Sequence, residues 1–151
     1  MLRDRLNGAL KDAMRAKDMV RVTTIRMILA AFKDRDIAAR TEGPDAGVGE
    51  AELVTVLQKL IKQRRDSIEA YEKGGRPELA DKERAEIAVI EDYLPQQMSE
   101  DEMKAAIATA VAELGASGMK DMGKVMAALR ERHGGTMDFG KASPLVKAAL
   151  A

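Results

Sequence analysis

Residues 93–102 read Tyr-Leu-Pro-Gln-Gln-Met-Ser-Glu-Asp-Glu, and this stretch divides the chain into two helical parts. Pro95 has no N–H group and disfavours the α conformation at Leu94, so a helix that runs into the stretch must end there. Ser99 and Glu102 have the spacing of a capping box, in which each side chain bonds a backbone N–H at the start of a helix. The stretch therefore predicts that one helix ends and another begins here.

The composition favours helices on both sides of this boundary. Of the 151 residues 46% are hydrophobic but only 3% are aromatic, so the core must be built from Leu, Ile, Val, Met and Ala. No segment alternates with a period of two. We predict an all-α protein, with a four-helix N-terminal subdomain over residues 1–94, two of its helices long and hairpin-like, and a smaller three-helix C-terminal subdomain over residues 95–151.

Apolar residues at three- and four-residue spacing place the helices. They are predicted at about 2–16, 18–39, 50–73, 77–94, 99–114 and 121–133, with a last short helix that starts near Ser143 because Pro144 suits only a first turn. Asp18, Asp121 and Asp138 are the expected caps of three of them. The glycines and the proline of residues 43–49 predict a loop.

Several classes of site are not expected. The chain has no cysteine and one histidine, which argues against thiolate and histidine-rich metal sites, and no cofactor motif is present. No apolar run approaches the roughly 18 residues that span a bilayer, and the N-terminus lacks a signal-peptide core, so we predict no membrane association and a cytoplasmic location. His133 precedes two glycines, which favours a role at a helix end over proton transfer.

Two charged segments leave alternatives open. Lys62-Gln63-Arg64-Arg65 is the densest basic run, yet Lys62 and Arg65 each have an acidic residue four positions on, the spacing of surface ion pairs. Arg64 is different because it interrupts an apolar stripe. A clamp between helices or a snorkelling position at the edge of the core is favoured for Arg64 over nucleic-acid contact.

The second segment is residues 117–129. Gly123 inside an apparent helix costs about 1 kcal/mol relative to Ala, which calls for either a closely packed helix or an approaching ligand. Lys120 and Lys124 stand four residues apart as potential phosphate contacts. Residues 115–151 carry six basic and three acidic groups, a net charge of +3.

Four segments of the chain resemble the GatB/YqeY family. They are Glu-Asp-Tyr-Leu-Pro-Gln-Gln-Met-Ser at 91–99, Lys-Asp-Met-Gly-Lys-Val-Met at 120–126, Gly-Lys and Leu-Val-Lys within 140–147, and Lys-Gln-Arg-Arg-Asp-Ser-Ile at 62–68. The resemblance covers nearly the whole chain and implies a stand-alone YqeY-like protein with an all-helical fold. Its C-terminal part is similar to the tail of the B subunit of tRNA-dependent amidotransferase, a part associated with holding tRNA.

The resemblance implies a noncatalytic tRNA-binding or accessory module of the amidotransferase system. The family is associated with carbon–nitrogen ligase activity that uses glutamine as amido-N-donor, but this chain lacks the room and the residues for ATP-dependent activation or glutamine hydrolysis. The expected partners are tRNA and a protein of the aminoacyl-tRNA or amidotransferase system. The expected nucleic-acid-binding residues are Lys120, Gly123, Lys124, Lys141 and Lys147.

Two other functions compete with this hypothesis. An adaptor would dock a partner protein through an apolar Met/Val/Leu face of the C-terminal helices, since flexible methionines adapt to partner surfaces. The third hypothesis is an enzyme in its own right that transfers the amide of glutamine.

If the leading hypothesis holds, RNA binding would act mainly through phosphates and shape, because aromatic residues for base stacking are nearly absent.

Overall fold

The computed structural model describes residues 1–43 and 47–151. Within these residues every regular element is helical and no strand forms, so the all-α prediction is confirmed. The α-helices are α1 (Leu2–Arg15), α2 (Met19–Ala39), α3 (Glu50–Lys73), α4 (Pro77–Glu91), α5 (Glu100–Leu114), α6 (Met122–His133) and α7 (Phe139–Leu150), and 3₁₀ turns cover Arg40–Glu42 and Met119–Asp121. Residues 44–46 of the predicted 43–49 loop lie outside the described residues.

The described residues form two compact units, Met1–Leu94 and Pro95–Ala151. That each unit is a separate folding domain stays a prediction. None of the described helices combines the length with the apolarity that crossing a bilayer requires.

The first unit buries one apolar core among α1–α4. Asp18 caps α2 by accepting the Arg21 N–H, as its position before the helix predicted. α3 and α4 are consecutive helices joined by a glycine turn in which Gly75 has a φ of +70°, a conformation that favours glycine. The buried core consists of Leu2, Leu6, Ile25, Ile28, Phe32, Leu53, Val54, Leu57, Leu60, Ile61, Val89, Ile90 and Tyr93.

Arg64 is a clamp between helices of the first unit. Arg64 is only 8% exposed, and its Nε lies 2.9 Å from Glu86 Oε2 of α4. Its Nη1 donates to the Leu60 carbonyl at 3.0 Å, and its Nη2 contacts Met27 Sδ of α2. Arg64 is therefore buried and paired, as one of the two favoured interpretations predicted, and its guanidinium is not available to nucleic acid.

The second unit buries its own core among α5–α7. Its start is the predicted capping box: Ser99 Oγ accepts the Glu102 N–H at 3.1 Å, and Glu102 Oε1 accepts the Ser99 N–H at 3.2 Å. Gly115 ends α5 in the left-handed conformation, with a φ of +60°. The buried core consists of Met103, Ile107, Ala110, Val125, Met126, Leu129, Met137, Ala142, Val146 and Leu150.

Two helix boundaries differ from the prediction. α4 ends at Glu91 instead of Leu94, because the N–H groups of residues 92–94 donate to carbonyls three residues back and tighten the chain. α7 starts at Phe139, directly after Asp138, so the predicted Asp138 cap is confirmed. The helix contains Pro144, so the later start near Ser143 is wrong.

Candidate nucleic-acid interface

Lys120 and Lys124 lie on one exposed segment where a 3₁₀ turn runs into α6. Val125, Met126 and Leu129 are buried, and at 100° per residue Lys124 points to the opposite side of the helix. Lys120 belongs to the preceding turn, Met119–Asp121, and is exposed as well. The core contacts of α6 thus leave the Lys124 ammonium group toward solvent, and Lys120 is a second exposed cation nearby in the sequence.

Asp121 shapes the turn between these two lysines in a way that the sequence did not predict. It stands at the N-cap position of α6, but its carboxylate does not bond the helix. Its Oδ2 instead accepts the Ser117 N–H at 3.1 Å, and its own N–H donates to the Gly118 carbonyl at 3.0 Å. The predicted cap is therefore wrong, because the preceding loop offers the carboxylate a competing backbone donor.

Gly123 is the second residue of α6 and is exposed. A Cβ built on Gly123 would meet no heavy atom within 4 Å. Close packing of another helix in the described chain therefore does not explain this glycine. Open space above the backbone is consistent with the alternative, the approach of a ligand, which stays a prediction.

Lys141 and Lys147 occupy different sides of α7. Lys141 lies in the first turn, where its N–H donates to Asp138 Oδ1 at 3.3 Å, and it lines an open groove of about 580 Å³ shared with the start of α5. Lys147 follows six residues later, about 9 Å along the axis and about 240° around it. The structure joins Lys120, Gly123 and Lys124 in one segment, but it does not place Lys147 beside Lys141.

The four lysines have similar surroundings, which they share with several exposed lysines of the first unit. All four are exposed, and none of their ammonium groups forms an ion pair within the described part of the chain. Lys104 pairs with Glu100 at 3.3 Å and Arg132 with Glu113 at 2.6 Å in the same unit. A group with no protein partner can neutralise a bound phosphate without first breaking an existing contact.

Arg130 is a further exposed cation of the second unit that sequence reasoning did not single out. It is exposed on α6, and its guanidinium carbon lies 5.7 Å from the centroid of the Phe139 ring. The pairing depends on how α6 and α7 pack, so no local spacing in the sequence could have revealed it.

Most of the apolar residues expected to form an adaptor surface are buried in the core of the second unit. Val125, Met126 and Leu129 are at most 8% exposed, while Met119 is 49% exposed. Only the end of the methionine cluster near Met119 therefore remains for a partner, which weakens the adaptor hypothesis.

His133 closes α6, as its position before two glycines predicted. Its carbonyl accepts the N–H groups of Thr136 at 3.0 Å and Met137 at 2.9 Å. The side chain is half-buried in a polar pocket of about 430 Å³ that Glu102 also lines. Among the described residues, no cluster of His, Cys, Asp and Glu has the arrangement of a metal site.

The sequence of this chain is similar to those of known proteins. A model of the family described as "Yqey-like protein" matches residues 3–150. The chain is 40% identical over 111 residues to "Altered inheritance of mitochondria protein 41, mitochondrial" of Lachancea thermotolerans, which covers 72% of this chain and 57% of the relative. Proteins of the same name from Vanderwaltozyma polyspora and Saccharomyces cerevisiae are 44% and 40% identical, over 59% and 60% of this chain and 46% and 47% of the relative.

The chain spans about half the length of the curated relatives it matches. The predicted cytoplasmic location is wrong on this comparison, because these relatives are named as mitochondrial proteins. A missing signal-peptide core could not have distinguished the two compartments, since it bears only on secretion.

Proposed function

Since the chain belongs to the YqeY-like protein family, as its sequence motifs indicated, we propose that it is a noncatalytic tRNA-binding accessory protein. The observation that carries the proposal is the pair Lys120 and Lys124, exposed on one rigid segment and free of ion pairs within the described chain. The similarity of the C-terminal part to the tRNA-holding tail of the amidotransferase B subunit supports tRNA as the ligand.

Binding would act through counterion release. Lys120 and Lys124 would neutralise about two phosphates, which gives a slope of log affinity against log salt of about −1.8 on duplex regions, and an RNA that also reached Lys141 and Lys147, on different sides of α7, would raise the magnitude of the slope to about 3.6. With the larger slope, affinity would fall by about 10²-fold between about 50 and 200 mM salt. In this proposal the protein partner belongs to the aminoacyl-tRNA or amidotransferase system, which would carry out the chemistry.

An electrophoretic mobility-shift series with total tRNA across this salt range tests the proposal. We expect a shift that weakens steeply with salt and is lost in the Lys120→Glu/Lys124→Glu variant, which places two carboxylates against the phosphates. The matched control is Lys62→Glu/Lys73→Glu, which makes the same charge change at two lysines of α3 already paired with Asp66 and Glu69. Salt-insensitive binding, or equal losses in both variants, would contradict the proposal.

Two further results would favour the competing functions. A protein that stays bound to the chain after nuclease treatment and in high salt would support an adaptor that docks through the exposed end near Met119. A glutaminase or amidotransfer activity that elutes with the purified chain in gel filtration would show that the protein is catalytic.

A further inference from the structure

We infer that the C-terminal unit, residues 95–151, binds a double-stranded stem of RNA through its phosphates, in preference to single-stranded RNA. The inference rests on the proposed RNA-binding function and specifies which part of a folded RNA this surface recognises. It follows from two features of the unit: the cations that it exposes, and the scarcity of side chains that could contact bases.

The unit has no platform on which an unpaired base could stack. The chain contains two Phe, two Tyr and no Trp, and Phe139 is the only one of these in residues 95–151. Phe139 is half-buried against the core of the second unit, and Arg130 lies over its ring. Proteins that hold single strands rely on exposed aromatic faces for successive bases, so this mode of binding lacks its main contact here.

Groups that read base edges are also scarce. Residues 115–151 contain no Asn or Gln, the side chains that form two hydrogen bonds with the edge of an adenine base. Of the two glutamines elsewhere in the unit, Gln97 donates from Nε2 to the carbonyls of Pro95 at 2.8 Å and Gly135 at 3.0 Å, whereas Gln96 is exposed. The exposed charged groups of residues 115–151 that lack an ion pair are therefore mainly cations, with the carboxylate of Glu131 among them on the same side of α6 as Lys124. Ammonium groups that contact phosphates carry no sequence information.

Three of the cations lie on helices or on a hydrogen-bonded turn. Lys120 lies in the turn that the Asp121 carboxylate closes on the Ser117 N–H, and Lys124 and Lys141 lie in the first turns of α6 and α7. Fixed charges match best a ligand whose phosphates are also fixed, and an RNA duplex holds them in a regular, dense array. A single strand would have to be ordered on binding and would gain no base contacts in return.

Fluorescence anisotropy of the full-length protein with labelled RNAs tests the inference. The probes are a duplex of about 16 base pairs, a length typical of double-stranded RNA domains, and each of its strands alone, designed without self-pairing. With four phosphate contacts, salt slopes of about −3.6 for the duplex and −2.8 for the strand predict about sixfold tighter duplex binding at about 0.1 M salt from counterion release alone. Replacing the duplex sequence should leave the affinity unchanged.

Charge-neutralising variants sharpen this test. The Lys120→Gln/Lys124→Gln variant should reduce the magnitude of the duplex salt slope by about two, one for each lost phosphate contact. The matched variant Lys62→Gln/Lys73→Gln, altered on α3, should leave the slope unchanged. Circular dichroism should show the same helix content in both.

The outcomes separate this inference from the proposed function. Binding to tRNA together with equal or tighter binding to the single strand, or an affinity that depends on duplex sequence, would overturn the duplex inference alone. The absence of binding to tRNA, duplex and single strand would overturn the proposed function and this inference together.

Discussion

At the residue scale, Arg64 is the one charged side chain among the buried residues of the described chain. It is the buried partner of Glu86, and Glu83 Oε2 lies 3.9 Å from the same Nε. Both carboxylates are largely shielded, with 14% and 19% of their side-chain surfaces exposed. Removal of the guanidinium would leave two neighbouring carboxylates of like charge with little solvent and no counter-ion.

We therefore expect Arg64→Met to lower the free energy of unfolding by about 3 kcal/mol, measured by urea denaturation. The control Lys62→Met removes one positive charge from an exposed pair of the same helix, 3.4 Å from Asp66, and should change stability by less than about 0.5 kcal/mol. Adding Glu86→Gln to Arg64→Met should recover part of the loss. Equal effects of the two single substitutions would contradict a buried clamp.

At the element scale, α7 forms in spite of a proline at its sixth position. Asp138 caps the helix by accepting the N–H groups of Gly140 and Lys141, and Ala142, Val146 and Leu150 are buried on one side of it. The cap and the apolar face hold the helix together although Pro144 cannot donate to the Gly140 carbonyl.

This arrangement makes Pro144 a site for stabilisation. Pro144→Ala should raise the free energy of unfolding by about 1–3 kcal/mol, because alanine restores the missing N–H and removes the ring from the preceding turn, while the unfolded chain gains some freedom. Pro144 is exposed, so no cavity is left behind. Thermal unfolding followed by circular dichroism measures the effect, with Ser143→Ala as the control. A lower melting temperature for the proline variant would show that the ring makes a contact that stabilises α7.

At the scale of the whole molecule, each of the two units has a core of its own. The second unit, Pro95–Ala151, is small, and domains of this size bury a smaller share of their surface than larger ones do. It nevertheless has a buried core to which three helices contribute residues. Its first helix begins with a capping box and ends at a glycine in the left-handed conformation.

We expect the polypeptide 95–151 to fold by itself, with helical circular dichroism and a cooperative thermal transition. At typical stability per residue its free energy of unfolding would be about 3 kcal/mol. The control polypeptide 107–151 lacks Met103 and half of α5 and should be largely unfolded. Non-cooperative melting of 95–151 would show that it needs residues 1–94.

Local chemistry explains why much of the fold could be predicted from the sequence. Ser99 with Glu102, Asp18 and Gly115 mark helix ends through bonds and backbone conformations that involve only nearby residues. Asp138 was predicted as a cap in the same way and caps α7. The later start near Ser143 was inferred from Pro144 alone, and the helix contains this proline with Ala142 buried before it.

The candidate site was less predictable than the fold. Lys120 and Lys124 are neighbours along one segment, so their shared exposure followed from spacing. The Asp121 carboxylate had two local donors to choose between, and the pairing of Arg130 with Phe139 exists only once two helices have packed. A helix that began near Ser143 would have left Lys141 outside it, so the six-residue spacing that separates Lys141 from Lys147 around α7 applies only because the helix starts at Phe139.

The distribution of aromatic residues has an optical consequence. The chain has no tryptophan, and both tyrosines, Tyr71 and Tyr93, belong to the first unit. Tyrosine emission therefore reports on residues 1–94 alone, while the far-ultraviolet dichroism of the backbone reports on both units. A melt recorded with both signals would give two curves wherever the units lose structure at different temperatures, and a tryptophan introduced in place of Phe139 would give the silent unit a reporter of its own.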